Sequence, residues 1–204
     1  RGNADGMYVT TAGVGVVAAG VDVSPQRIRP GDALLLSGDI GRHGIAILAE
    51  REGLEFDTTV TSDCASVTHL ISGLLQAGID LHCARDLTRG GLSSALVELA
   101  TTTGLDIDLD EPAVPLLEQV RGACEMLGLD PLYVACEGRF CAFVPQEQAV
   151  QAIEVLRLLP HGEGACCVGR VGSAGGSGRV HTRSALGVQR IVELFSGEQL
   201  PRIC

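Results

Sequence analysis

Two rhythms of apolar positions run along this chain. Val67, Leu70, Ile71, Leu74 and Leu75 recur at helical spacing, which predicts a helix over 66–77 that Gly78 ends. The same reading predicts helices from Gly44 to about Glu52, over 92–102, over 114–127 with Pro115 near its first turn, and over 147–159. Short apolar or β-branched runs bounded by Gly and Pro predict strands over 7–17, 33–37, 81–84, 139–144, 165–171 and 178–182, with a short apolar segment over 191–195. At 105–109 the alternation is strict: Leu105, Ile107 and Leu109 fall on one face, Asp106 and Asp108 on the other. Strands and helices are mixed without a strict βαβ rhythm and without internal repeats. The expected fold class is therefore α+β, with helices packed on a mixed sheet.

Composition narrows the function classes. Hydrophobic residues make up 46% of the 204, aromatics only 3%, so the core has to be built mainly from aliphatic side chains. The net charge is −10 and every basic residue is Arg; an acidic chain without a basic patch is a poor ligand for nucleic acid or an anionic membrane. No apolar run reaches the roughly 18 residues that a membrane-spanning helix needs. Eight cysteines are present, most of them inside apolar runs such as Arg139-Phe140-Cys141-Ala142-Phe143, where a free thiol behaves as a small hydrophobe. A reducing cytoplasm is the expected compartment. With no Cys-x2-Cys pair, the spacing does not predict a zinc site.

Four segments carry candidate chemistry. In Asp86-Leu87-Thr88-Arg89-Gly90-Gly91 a strand ends, a glycine pair follows and a helix begins, which offers free backbone N–H groups and the positive end of a helix dipole to an anion. Asp86 could ligate Mg²⁺ and Arg89 could pair with phosphate, or Asp86 or Thr88 could simply cap the helix. Gly38 to Gly44 repeats that geometry, with His43 either in the site or on the surface. Glu137 is a lone carboxylate between apolar stretches, suited to base work in a dry pocket or else paired with Arg139 at a strand edge. The chain ends on Cys204, too far along for prenylation, which needs the Cys fourth from the end. Gly197 gives a hinge and Pro201 stiffens the approach; the last eight residues can reach roughly 25 Å. The nearby terminal carboxylate disfavours a thiolate, so Cys204 reads as a carrier loaded by a partner, as a thiol activated by a cation such as Arg202, or as a terminus without a role.

Taken together these segments are similar to a known family. Asp86-Leu87-Thr88-Arg89-Gly90-Gly91-Leu92 resembles the C-domain motif of the aminoimidazole ribonucleotide synthetase superfamily. Gly38-Asp39-Ile40-Gly41-Arg42-His43-Gly44-Ile45-Ala46 and the closing Pro201-Arg202-Ile203-Cys204 resemble its hydrogenase-maturation branch, the carbamoyl dehydratases. The resemblance covers essentially the whole chain. It implies that a carbamoyltransferase, HypF, loads a carbamoyl group onto Cys204, and that ATP with Mg²⁺ drives its dehydration to a thiocyanate. The cyano group then passes to the iron of a nickel–iron hydrogenase through HypC and HypD. It also implies a catalytic role for Glu137 as the base, Mg-ATP binding at Asp86 and a homodimer in the full-length protein; the helix-start geometry adds Thr88, Arg89, Gly90, Gly91 and His43 as candidates for ATP and phosphate binding. Other synthetases of the superfamily lack the Pro-Arg-Ile-Cys ending; a non-catalytic carrier or docking module is the remaining alternative.

The opening Arg1-Gly2-Asn3-Ala4-Asp5-Gly6 reads as the middle of a longer protein. The expected organisation is a remnant of an ATP-binding domain over 1–20, an α+β domain over 21–195 and a tail over 196–204 that carries Cys204. On that reading residues 1–204 alone do not complete the ATP-driven dehydration. Incubating them with ATP after loading of Cys204 is expected to leave the carbamoyl mass unchanged.

Overall fold

The computed structural model describes residues 10, 12–54, 59–184 and 186–194. Seven strands form one sheet: β1 (Ala33–Leu36), β2 (Cys83–Asp86), β3 (Ile107–Asp110), β4 (Phe140–Val144), β5 (Cys166–Val171), β6 (Val180–Arg183) and β7 (Gln189–Val192). Their order is β2-β4-β1-β5-β3-β6-β7, antiparallel throughout except for the parallel β3/β6 pair. Five α-helices accompany it among the described residues: α1 (Arg42–Glu52), α2 (Thr68–Gln76), α3 (Gly91–Thr103), α4 (Glu118–Leu127) and α5 (Ala149–Arg157). The α+β class expected from the sequence is the class observed.

The period-2 rule sorts the strand side chains into two cores. Leu34 and Leu36 of β1 and Cys141 and Phe143 of β4 point to one face, where Leu92, Leu96 and Leu99 of α3 cover them. Ala33, Leu35, Phe140, Ala142 and Val144 point to the other, under Leu70 and Leu74 of α2 and Ala152 and Leu156 of α5. Every residue of β1 and β4 is thus buried, which is why both read as continuous apolar runs. In β3 only Ile107 and Leu109 are buried, and the strict alternation of that segment reflects one open face. A third cluster, Ile45 of α1 with Val120, Ala123 and Cys124 of α4 and Val134, sits beside the sheet.

Three expectations need correction. Thr10 and residues 12–17 form no strand, with Val14 and Val16 fully exposed. No neighbouring strand lies beside them among the described residues, and a strand without a ladder has no backbone partners to hold it. The helix expected over 114–127 begins only at Glu118. Val114 precedes a proline, which disfavours helical backbone, and it is extended (φ −74°, ψ 118°). The Pro115 carbonyl instead accepts from Ile40 N at 3.1 Å. The strand expected over 81–84 is displaced to Cys83–Asp86, because Leu81 N turns back onto the Ile79 carbonyl before the ladder with β4 starts. Residues 1–9 lie outside the described residues, as does Cys204 with the rest of the tail.

The polar side of β3 shows how charge supports the sheet. Asp106 Oδ1 accepts from Ser177 N (2.8 Å) and Arg179 N (2.9 Å), fastening the glycine-rich loop that leads into β6. The Arg179 amide, helped by the Ser177 donors and outweighing partial desolvation, holds the Asp106 carboxyl below its usual value of 3.8. A depressed carboxylate stabilises the fold fully above its unfolded pKa, and that contribution fades as pH falls through the lower, folded value. Asp106→Asn keeps the acceptor oxygen and removes only the charge. It is expected to lower stability by about 1 kcal/mol at neutral pH, allowing for solvent screening. The gap from the parent in urea unfolding should close as the pH is lowered below 3.8; a gap independent of pH would refute the assignment.

Candidate active site

Topology gathers the motifs at one end of the sheet. β1 and β2 both run antiparallel to the strand between them, β4. The C-terminal ends of β1 and β2 therefore lie together, beside the N-terminal end of β4. The segment from Gly38 to Gly44 leaves β1 there, Asp86 to Gly91 leaves β2, and Cys136 to Arg139 enters β4.

Hydrogen bonds stitch the three segments together. Leu87 N donates to the Arg139 carbonyl (3.2 Å), and Cys136 N donates to the Leu87 carbonyl (3.0 Å). Ser37 N donates to the Phe140 carbonyl (3.1 Å), and Gly44 N to the Ala135 carbonyl (3.0 Å). Gly41 N donates to the Cys136 thiol at 3.2 Å. Burial pushes that thiol up to about 12, so Cys136 works as a structural acceptor and not as a nucleophile.

Arg139 is 6% exposed. Its Nη2 pairs with Asp39 Oδ1 at 2.6 Å, Nε donates to the Asp39 carbonyl (3.0 Å), and Nη1 donates to the carbonyls of Gly138 (3.2 Å) and His161 (3.1 Å). Asp39 Oδ2 in turn pairs with Arg42 Nε at 2.6 Å. The guanidinium that could have neutralised Glu137 is thereby committed to Asp39, and the strand-edge Glu137–Arg139 pair is not formed. Glu137 is half-buried, and its Oε1 is a buried atom with no hydrogen-bond partner.

Asp86 is exposed at the end of β2, paired with Arg85 and accepting from the Thr88 hydroxyl at 2.6 Å. Partial desolvation pushes its carboxyl up, but the Thr88 hydroxyl and the Arg85 guanidinium outweigh it and hold the group below the usual range. Neither Asp86 nor Thr88 caps α3: its N-cap is Gly90, in left-handed conformation, with no side-chain bond. Arg89 is exposed beside it. Gly91 has a packing duty as well. A Cβ there would lie 2.7 Å from the carbonyl oxygens of Leu132 and Val134. The glycine pair lets the start of α3 press onto the segment that leads to Glu137.

His43 is the second residue of α1 and partly buried; its Nδ1 lies 2.9 Å from Ser62 Oγ. Asp63, which sequence reading did not single out, is 4% exposed and accepts from His43 N (2.9 Å) and Gly138 N (3.3 Å). It sits in an irregular stretch with no periodicity, and nothing in its spacing relates it to either partner. Asp39 and Arg139 were equally hidden in their joint role.

The arrangement thus offers an ionised carboxylate and an uncapped helix start on one side, and a partner-free carboxylate oxygen on the other. Residues 29–181 match the model of the AIR synthase related protein, C-terminal domain. The chain is 48% identical over 204 residues to the carbamoyl dehydratase HypE of Rhodobacter capsulatus, covering 100% of this chain and 60% of that protein. It spans about 60% of the length of the curated relatives it matches. A crystal structure of the hydrogenase maturation protein HypE in complex with ATP superposes with a TM-score of 0.83 at 45% identity, over 89% of this chain and 55% of that one. A HypE–HypF complex matches with a TM-score of 0.80 at 37% identity, over 84% and 55%. The chain belongs to the AIR synthase related family, whose C-terminal domain it carries, and is a homologue of the HypE carbamoyl dehydratases.

Proposed function

We propose that this chain serves nickel–iron hydrogenase maturation by ATP-dependent dehydration of a carbamoyl group on Cys204 to a thiocyanate. The observation that carries the reading is the meeting, at one end of β2-β4-β1, of the Asp86 segment, the His43 segment and the partner-free oxygen of Glu137. The likeness to a HypE bound to ATP and to a HypE bound to HypF supports the cofactor and the carbamoyl donor. Transfer of the cyano group to HypC–HypD, a homodimeric state and a cytoplasmic location belong to the same reading.

The residues present suit Mg-ATP. Asp86 is an exposed carboxylate held ionised, the hard oxygen ligand that Mg²⁺ takes. Thr88, Arg89, Gly90, Gly91 and the uncapped start of α3 offer phosphate a hydroxyl, a guanidinium and backbone N–H groups, with His43 on the neighbouring segment. When bound, Mg-ATP supplies the phosphoryl group that turns the amide oxygen into a leaving phosphate. The chain's own task is to remove protons from nitrogen. One N–H proton leaves as the oxygen is phosphorylated; the second leaves as phosphate departs and the C≡N bond forms. Glu137 is the base for this step, because its buried Oε1 accepts from no donor among the described residues. Arg139, held by Asp39, cannot quench that charge by direct pairing.

Two measurements test the reading in the complete protein. Mass spectrometry of the C-terminal peptide after incubation with carbamoyl phosphate, HypF and ATP should show one carbamoyl group on Cys204, then the loss of one water. An adduct that persists in Cys204→Ala would sink it. Glu137→Gln should slow dehydration on the order of 10²–10⁴-fold while ATP binding is retained; an unchanged single-turnover rate would remove Glu137 from the mechanism.

A further inference from the structure

We infer that Asp63 is the positioning residue of the proposed dehydration site: it clamps the turn that carries Glu137 onto the start of α1, and it acts on the reaction through Glu137. The inference rests on the reading of Glu137 as the base and adds a residue to it.

The geometry is specific. Each carboxylate oxygen of Asp63 takes one backbone N–H, Oδ1 that of His43 (2.9 Å) and Oδ2 that of Gly138 (3.3 Å). The two donors are far from Asp63 in sequence and belong to the two segments that enclose the site. His43 N is one of the orphan donors of the first turn of α1, whose own N-cap, Gly41, has no side chain to offer. A carboxylate at this spot also complements the positive end of the helix. Asp63 therefore caps α1 from 20 residues away. Its other oxygen holds the peptide that immediately follows Glu137.

Backbone contact closes the clamp. A Cβ on Gly138 would lie 2.0 Å from the Asp63 carbonyl oxygen and 2.9 Å from Ala65 N. The 63–65 segment and the Glu137-Gly138 turn thus touch main chain to main chain, which only glycine permits. Ser62 extends the grip, with its hydroxyl 2.9 Å from His43 Nδ1 and accepting from Cys64 N (3.1 Å). Glu137 itself has no hydrogen bond at Oε1 to fix its direction. The backbone on either side is held in place: Cys136 is tied to Leu87 and Gly41, and Gly138 to Asp63. Release of the Gly138 tie lets the base drift without touching the Asp86 segment where ATP would sit.

The test uses the complete protein with Cys204 carbamoylated by HypF. Asp63→Ala leaves two buried N–H groups without a partner and could unfold α1. Asp63→Asn keeps one acceptor oxygen and serves as the folded variant, checked by far-UV circular dichroism. In Asp63→Asn the remaining oxygen keeps the shorter bond, to His43 N, and the Gly138 bond is lost; the single-turnover dehydration rate is expected to fall on the order of 10–100-fold, the loss typical of a displaced catalytic group, with the KM for ATP within about twofold of the parent. Because Asp63 acts through Glu137, the double variant Asp63→Asn/Glu137→Gln should be no slower than Glu137→Gln alone. A structural role would give additive losses and a raised KM instead. If Glu137→Gln is impaired while Asp63→Asn is not, or the losses add, the positioning role is overturned and the base stands. If Glu137→Gln is unimpaired, both fall.

Discussion

The site depends on a buried guanidinium. Arg139 stands at the entry to β4, the strand between β2 and β1, almost wholly removed from water, and such a charge is tolerable only where its N–H groups meet acceptors. Asp39 supplies a carboxylate and a carbonyl, and Gly138 and His161 supply two further carbonyls. These acceptors come from the loop after β1, from the turn before β4 and from the turn before β5. Satisfying one side chain therefore fixes three loops relative to one another. Breaking a buried pair of this kind typically costs about 3–5 kcal/mol, more than any single surface contact of the fold.

The same commitment has a chemical consequence. Sequence neighbours Glu137 and Arg139 would form an unremarkable ion pair if the chain were free to choose. Asp39 holds Arg139 on one side and is itself shared with Arg42, so two guanidinium groups converge on one carboxylate and neither pairs with Glu137. A carboxylate that keeps an unpartnered oxygen in a partly dry turn is poorly suited to stabilising a fold and well suited to accepting a proton. Loop fixation and an unpaired carboxylate oxygen are two outcomes of one arrangement.

How much of this could be read from the residues alone follows from the range of the interactions. The glycine-punctuated junctions after β1 and β2 announce themselves, because turn chemistry and helix starts are local. The doubly covered strands β1 and β4 do so too, as unbroken apolar runs. Alternation at 105–109 correctly marked a strand with one open face, although the ladder itself spans Ile107–Asp110. What local pattern cannot supply is partnership. Residues 12–17 have the composition of a strand but no strand beside them among the described residues, and Pro115 looks like a first-turn proline although its carbonyl is spoken for by Ile40. Asp63 is invisible for the same reason: its partners lie 20 and 75 residues away.

Topology turns these long-range ties into a site. With β4 antiparallel to both neighbours, the outgoing loops of β1 and β2 and the incoming turn of β4 must share one edge of the sheet, whatever their sequences. Glycine then sets how closely they approach. At Gly91 a methyl group would strike the carbonyls of Leu132 and Val134, and at Gly138 it would strike the Asp63 backbone. The glycines of the Asp86 segment suit a bound anion, yet Gly91 is already required by the protein's own main chain before any ligand arrives. Substituting it would push α3 away from the segment leading to Glu137, and so move a helix start and a buried carboxylate oxygen apart at once. The start of α3 and the placement of Glu137 are therefore coupled through packing, and neither can be altered at Gly91 without disturbing the other.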